Sequence, residues 1–124
     1  MLRTGSVSKR SDPEPCREQD LGLFEVIARD GAARIGRLHT DHGSMNTPAL
    51  LLVVNPNLRT IEPREMWEKY GVEALITNSY VIWKHDDLRE RALDEGVHSM
   101  LDFPGVIVTD SGTFQSYVLS LIHI

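Results

Sequence analysis

The 124-residue chain holds a single cysteine, Cys16. One thiol excludes an internal disulfide and a cysteine cluster for zinc, and it fits a reduced, cytoplasmic setting. No apolar run approaches the roughly 20 residues that a membrane-spanning helix needs, so no membrane contact is expected. The opening MLRTGSVSKRSDPEPCREQD lacks the apolar core of a signal peptide. Positive charge is scarce as well: 13 Lys and Arg stand against 18 Asp and Glu, a net charge of −5. That balance argues against a dedicated nucleic-acid patch within these residues. It leaves nucleic acid open as a partner if a basic surface lies elsewhere in the molecule. The five histidines, His39, His42, His85, His98 and His123, include no pair at metal-ligand spacing with a third ligand nearby. They read as structural or surface groups, and no metal ligand is assigned. Ser111 lacks His and Asp partners in the order a serine hydrolase needs, which argues against that class.

What is present begins with a polar stretch. Residues 1–21 are rich in Ser, Pro, Arg and Asp and have no apolar period, so they read as a disordered extension. From residue 23 the pattern alternates. Phe24, Val26 and Ala28 interleave with Glu25, Ile27 and Arg29; Asp30-Gly31 is a turn pair; Arg34 to Leu38 alternates again. Residues 23–39 therefore read as a β-hairpin, with Ser44 to Thr47 as a short return strand.

Beyond Pro48 the alternation stops. ALLLVV (49–54), VEALIT (72–77) and VIVT (106–109) are apolar runs of the kind found in strands buried on both faces of a parallel sheet. Between them lie two helical segments. IEPREMWEKYG has Pro63 in its first turn, Met66, Trp67 and Tyr70 on one face, and Gly71 as its stop. DDLRERALDEG offers Asp86 or Asp87 as a cap and Gly96 as a terminator, and HSMLDF adds a short turn. The order β-α-β-α-β after a hairpin predicts an α/β fold with a parallel sheet and right-handed crossovers. A (β/α)8 barrel takes about 250 residues. The chain offers three of its strands, so the fold class expected is the incomplete N-terminal part of a (β/α)8 TIM barrel preceded by a small antiparallel hairpin or sheet.

In such sheets chemistry gathers beyond the carboxyl ends of the strands. Asn55 falls there after the first strand, Asn78, Ser79 and Tyr80 after the second, and Asp110 with Ser111 after the third. Each of these also serves as a plain turn former or helix cap. Asp110, in VIVTDSGTFQ, is the group that can do more. A carboxylate at a strand end in an apolar setting has a raised pKa and can trade a proton near neutral pH. Ser111 offers a hydroxyl, Gly112 lets backbone come close to a ligand, and Phe114 presents a flat face to a planar heterocycle. Together these would hold and protonate a purine-like base, although a Phe in isolation is more often a core residue.

The segments FEVIARDGAARIGRLHTDHGSMNTPALLLVVNPN, VEALITNSYVIW and LRERALDEGVHSMLDFPGVIVTDSGTFQSYV together resemble the N-terminal part of the archaeal tRNA-guanine transglycosylases. The resemblance covers about residues 23–118. It rests on DSGTFQ in the same order and spacing as VVNPN and ITNSY. It implies a (β/α)8 barrel preceded by a small antiparallel sheet. It further implies exchange of a guanine in the tRNA D-arm for 7-cyano-7-deazaguanine, on the way to archaeosine, with no energy cofactor. Retention at the ribose carbon implies two displacements, as in retaining glycosidases. By the same resemblance Asp110 is the family's first active-site aspartate, either the nucleophile or the acid/base that handles the base's proton; the acid/base and base-recognition role is favoured, with the attacking Asp on a later strand. Ser111 helps hold the base, Phe114 stacks on it, and Asn78 sits near the ribose or orients the nucleophile. The family's zinc, held through Cys and His, has no ligands in this chain. The partners implied are tRNA, guanine and 7-cyano-7-deazaguanine, with a homodimer of the full-length protein. The ending LSLIHI departs from the family, so residues 119–124 are expected to be a non-native tail on a catalytic piece spanning residues 22–118. The alternatives are an aspartic protease, which also carries Asp-Ser-Gly-Thr after an apolar run, a non-catalytic remnant, and a bacterial-type enzyme of the queuine pathway.

Overall fold

The computed structural model describes residues 9–113. Two three-stranded sheets make up its frame. The first is antiparallel: β1 (Phe24–Asp30), β2 (Ala33–Thr40) and β3 (Gly43–Thr47). The second is parallel, in the order β4 (Leu52–Val53), β5 (Ala74–Asn78) and β6 (Val106–Asp110). Helix α1 (Pro63–Tyr70) connects β4 to β5. Two helices, α2 (Ser79–Lys84) and α3 (Asp86–Leu101), connect β5 to β6. The expected α/β organisation, with a hairpin and its return strand ahead of parallel strands, is what the chain adopts.

The core lies between the parallel sheet and its helices. Leu75, Leu101, Met100 and Phe103 are essentially inaccessible, and Trp67 meets Phe103 edge-on with ring centroids 6.0 Å apart. A fully buried leucine of this kind contributes roughly 1.5–3 kcal/mol. Strand β5 is central, and its buried Thr77 hydroxyl donates to the Val54 carbonyl at 2.9 Å, so no polar side chain is left unpaired there. A second, smaller cluster joins Met45 of β3 to Ala74 and Val106, the first residues of β5 and β6. The antiparallel sheet therefore packs at the amino ends of the parallel strands and leaves their carboxyl ends open.

Several local expectations need correction. Of the apolar run 49–54, only Leu52 and Val53 pair, opposite Leu75 and Ile76. Leu50, ahead of β4, and Val53 within it stay exposed, and among the described residues β4 pairs with β5 alone. Tyr70 points to solvent, and the buried face of α1 is carried by Pro63 and Trp67. Gly96 breaks the helix as expected: its backbone is non-helical at φ +83° and ψ 161°, and a second short helical segment runs on from it to Leu101, whose burial with Met100 ties that segment to the core. Neither Asp86 nor Asp87 caps α3; His85 holds the cap position, and Asp86 accepts from Arg89 at 2.7 Å. Residues 79–84, to which the sequence reading assigns no element, form α2.

The segment read as a disordered extension also lies on the fold from residue 9 onward. The Arg10 guanidinium sits 3.6 Å over the Trp67 ring, and Trp67 Nε1 donates to the Ser11 carbonyl at 3.2 Å. Asp12 pairs with Arg64 at 2.6 Å, and the Cys16 amide donates to the Thr40 carbonyl at 3.1 Å. Its polarity hides these anchors, since each uses backbone or a charged tip rather than an apolar side chain.

Near that strap, the His42 and His98 rings stack with centroids 3.3 Å apart, and His98 Nε2 donates to the Gly105 carbonyl at 3.0 Å. Arg64, Asp12 and Asp102 line the same cavity. Burial pushes the His98 pKa down and His42 adds to this, against the opposing hydrogen bond to Gly105. The folded state therefore takes up the His98 proton less readily than the unfolded chain, whose histidines titrate at about 6.5. Stability from this site is present above about pH 6.5 and is lost as pH falls toward the lower folded value. Urea midpoints of the parent chain should drop more between about pH 7.5 and about pH 5.5 than those of His98→Gln. Identical pH dependence in the two proteins would contradict this.

Candidate active site

The pairing of β5 with β6 runs through Ala74↔Val106, Leu75↔Ile107, Ile76↔Val108 and Thr77↔Thr109 and ends at Asn78↔Asp110. Parallel register thus places two of the residues expected at the strand ends directly opposite each other. Ser111 follows on the exposed rim, and Gly112 is tucked beneath. Among the described residues, Asn55 does not join this group through any hydrogen bond. Its side chain accepts from the Asn57 amide at 2.9 Å, so it shapes its own turn. Phe114 lies outside the described residues, as do residues 119–124.

Asn78 ends β5 and starts α2. Its Oδ1 accepts from the Tyr80 amide at 2.9 Å and from the Val81 amide at 3.2 Å, which satisfies the first turn of the helix. The cap role weighed as the plain alternative is therefore the one Asn78 Oδ1 performs. Ser79, the first helical residue, donates its hydroxyl to the Asp110 carbonyl at 2.7 Å. Two residues on, the Gly112 amide reaches toward Asp110 Oδ1 at 3.5 Å, and the Ser111 and Thr113 hydroxyls share a hydrogen bond at 2.8 Å. The apolar enclosure expected around Asp110 is not supplied by the described residues, among which the carboxylate stands exposed.

A cavity of about 430 Å3 opens at this rim, lined by Ser79, Tyr80, Trp83 and Ser111. Asp110 immediately precedes one of these four. Tyr80 and Trp83 form a tilted aromatic pair with centroids 6.2 Å apart, and Trp83 is 63% exposed. Such a space is within the range of small-molecule sites, roughly 300–1,000 Å3. Sequence reasoning passed over Trp83 because SYVIWK, β-branched and aromatic, was not read as helix; its position one turn beyond Ser79 follows only once α2 is known. Among the described residues, no three His, Cys, Asp or Glu side chains gather where they could hold a metal. The zinc implied by resemblance finds no donor set among them.

A family model described as "Queuine tRNA-ribosyltransferase" matches residues 30–124, well over half of the chain. The chain belongs to the queuine tRNA-ribosyltransferase family. Curated relatives agree with it. A tRNA-guanine(15) transglycosylase of Methanosarcina barkeri is 45% identical over 102 residues, covering 82% of this chain and 21% of the relative. Its namesake in Thermoplasma acidophilum is 53% identical over 100 residues, or 81% of this chain and 16% of the relative. That of Methanopyrus kandleri is 55% identical over 92 residues, 74% of this chain and 20% of the relative. The chain thus spans about a fifth of the length of these transferases. The aspartic-protease alternative gains nothing from the fold: that class builds its Asp-Ser-Gly into an almost all-β frame, whereas here the motif ends a parallel strand that follows three helices. Among the described residues, no helix is long and apolar enough to cross a membrane.

Gly112 is a structural requirement of this rim. Its φ of +64° is left-handed, and a Cβ there would strike Tyr80 Cβ and lie 2.9 Å from Asn78 Oδ1. Gly31, at φ +59°, has nothing within 4 Å. Gly31→Ala should cost only the backbone penalty of about 1–2 kcal/mol. Gly112→Ala should cost measurably more in urea denaturation, because it adds the clash. Equal losses would show that the packing of Gly112 under α2 is wrong.

Proposed function

We propose that this chain is the N-terminal part of the catalytic barrel of a tRNA-guanine transglycosylase that exchanges guanine in the tRNA D-arm for 7-cyano-7-deazaguanine. The observation that carries this reading is the register pair Asn78↔Asp110 at the open carboxyl end of the parallel sheet. It supports the reading because a carboxylate, the Ser111 hydroxyl and a cavity walled by Tyr80 and Trp83 share one rim, in a chain of this transferase family. In this reading β4, β5 and β6 are the first strands of a (β/α)8 barrel, and the antiparallel sheet closes its amino-terminal end.

The chemistry assigned to the site is a double displacement at the ribose carbon that carries the base. A carboxylate from a later strand attacks that carbon, and the bond to guanine breaks with its electron pair going to the base. Asp110 supplies the proton that neutralises the departing base. The incoming base then gives its proton to Asp110, attacks the same carbon and expels the carboxylate, so configuration is retained. Ser111 holds the base edge by hydrogen bonding, and Phe114 stacks on its face. Asn78, committed through Oδ1 to α2, contributes by fixing the wall beside the ribose rather than by receiving it. With a net charge of −5 here, the attraction for tRNA phosphates comes from parts of the protein outside this chain.

The test is incorporation of radiolabelled guanine into tRNA by the full-length protein. Asp110→Asn keeps the shape of the side chain and removes its acid/base chemistry, so exchange should fall by about 10²–10⁴-fold with the thermal transition unchanged. Exchange at the parent rate would remove Asp110 from the reaction.

A further inference from the structure

Two parts of the rim do different work on Asp110. The ladder between β5 and β6 stops at Asn78↔Asp110. Beyond it, the Tyr80 and Val81 amides are turned onto Asn78 Oδ1. They are spent on starting α2 and do not reach β6. The Asp110 carbonyl stands at the end of the sheet, and the Ser79 hydroxyl donates to it at 2.7 Å. The carboxylate itself is weakly held. Among the described residues its one hydrogen-bond partner is the Gly112 amide at 3.5 Å, a long contact. The direction of the Asp110 side chain therefore depends on how firmly its backbone is fixed, and the only side chain that fixes it, among the described residues, is Ser79.

From this geometry we propose that Ser79 is a positioning residue for base exchange: by binding the Asp110 carbonyl it sets the peptide between Asp110 and Ser111, and so aims both side chains at the shared rim. The inference rests on the exchange reading above. Ser79 is half-buried, lines the cavity with Ser111, and takes no part in the apolar core. Removing its hydroxyl therefore deletes one atom at the rim and leaves the packing of Leu75, Met100 and Phe103 in place. The consequence belongs to the chemical step. Misplacement of an acid/base group by about an ångström costs on the order of 10²-fold in rate, while the surfaces that bind base and tRNA are kept.

The experiment compares Ser79→Ala and Ser79→Thr with the parent in guanine exchange by the full-length protein, with Asp110→Asn alongside. Ser79→Ala should lower kcat by about ten- to a hundredfold with KM for guanine and for tRNA within about twofold. Ser79→Thr keeps a hydroxyl on the same carbon and should return kcat to within about threefold of the parent. An unchanged kcat in Ser79→Ala overturns the proposal. So does a Thr variant as slow as the Ala variant. A raised KM with kcat intact also overturns it, because Ser79 would then be touching substrate itself. A Ser79→Ala protein that fails to fold counts against it too, since the hydroxyl would then serve the fold rather than the aim of Asp110. If Asp110→Asn is inactive while Ser79→Ala is normal, only the positioning role falls; if Asp110→Asn exchanges normally, the exchange reading falls and this inference with it.

Discussion

Five consecutive residue pairs between β5 and β6, from Ala74↔Val106 to Asn78↔Asp110, fix where everything at the rim can stand. Side chains alternate along a strand, so a slip of one residue would turn Asp110 to the other face and carry Ser111 with it. The register is protected from such a slip by what β5 buries. Leu75 and Thr77 are inaccessible, and the Thr77 hydroxyl donates to the Val54 carbonyl, which holds β5 against the end of β4 and so fixes which face of β5 is turned inward. The cost of leaving that hydroxyl unpaired in the interior, about 1–3 kcal/mol, works together with the apolar burial of the helices to hold the strands in place.

The two sheets divide the labour. At the amino ends of the parallel strands, Met45 packs on Ala74 and Val106. Glu73 there accepts from the backbone amide and, more distantly, the side chain of Asn46. The strap from residue 9 to Cys16 adds the Arg10–Trp67 and Arg64–Asp12 contacts. An exposed ion pair such as Arg64–Asp12 is worth about 0–1 kcal/mol, so its contribution is to location more than to stability. With that end closed, the carboxyl ends are where the fold leaves polar groups in reach of a ligand. The crossover through α2 and α3 then supplies the rim with its second wall, Tyr80 and Trp83.

The parallel strands at 74–78 and 106–110 were legible because each is an apolar run between breakers, and Asn78 and Asp110 could be placed at their ends from the run lengths alone. The hairpin was legible from Asp30-Gly31. Helix α2 was not, because Val81, Ile82 and Trp83 carry no helix period over so short a span; only the Asn78 cap and the burial of Ile82 make it one. Gly96 was legible: its left-handed φ breaks the helix, and the short segment after it, read from HSMLDF, buries Met100 and Leu101. The enclosure imagined around Asp110 was an inference from the apolar run before it, yet an apolar strand says nothing about what covers its end. Asn78 was assigned toward substrate, and the structure spends its oxygen on a helix, a role that the sequence already allowed.

A crystal structure of the full-length protein with guanine bound tests the central claim most directly. The account predicts the polar edge of the base within about 2.6–3.2 Å of the Asp110 carboxylate, with Asn78 still opposite Asp110 and Ser79 still on its carbonyl. Guanine seated at the amino ends of the strands, or Asp110 out of register with Asn78, would contradict it.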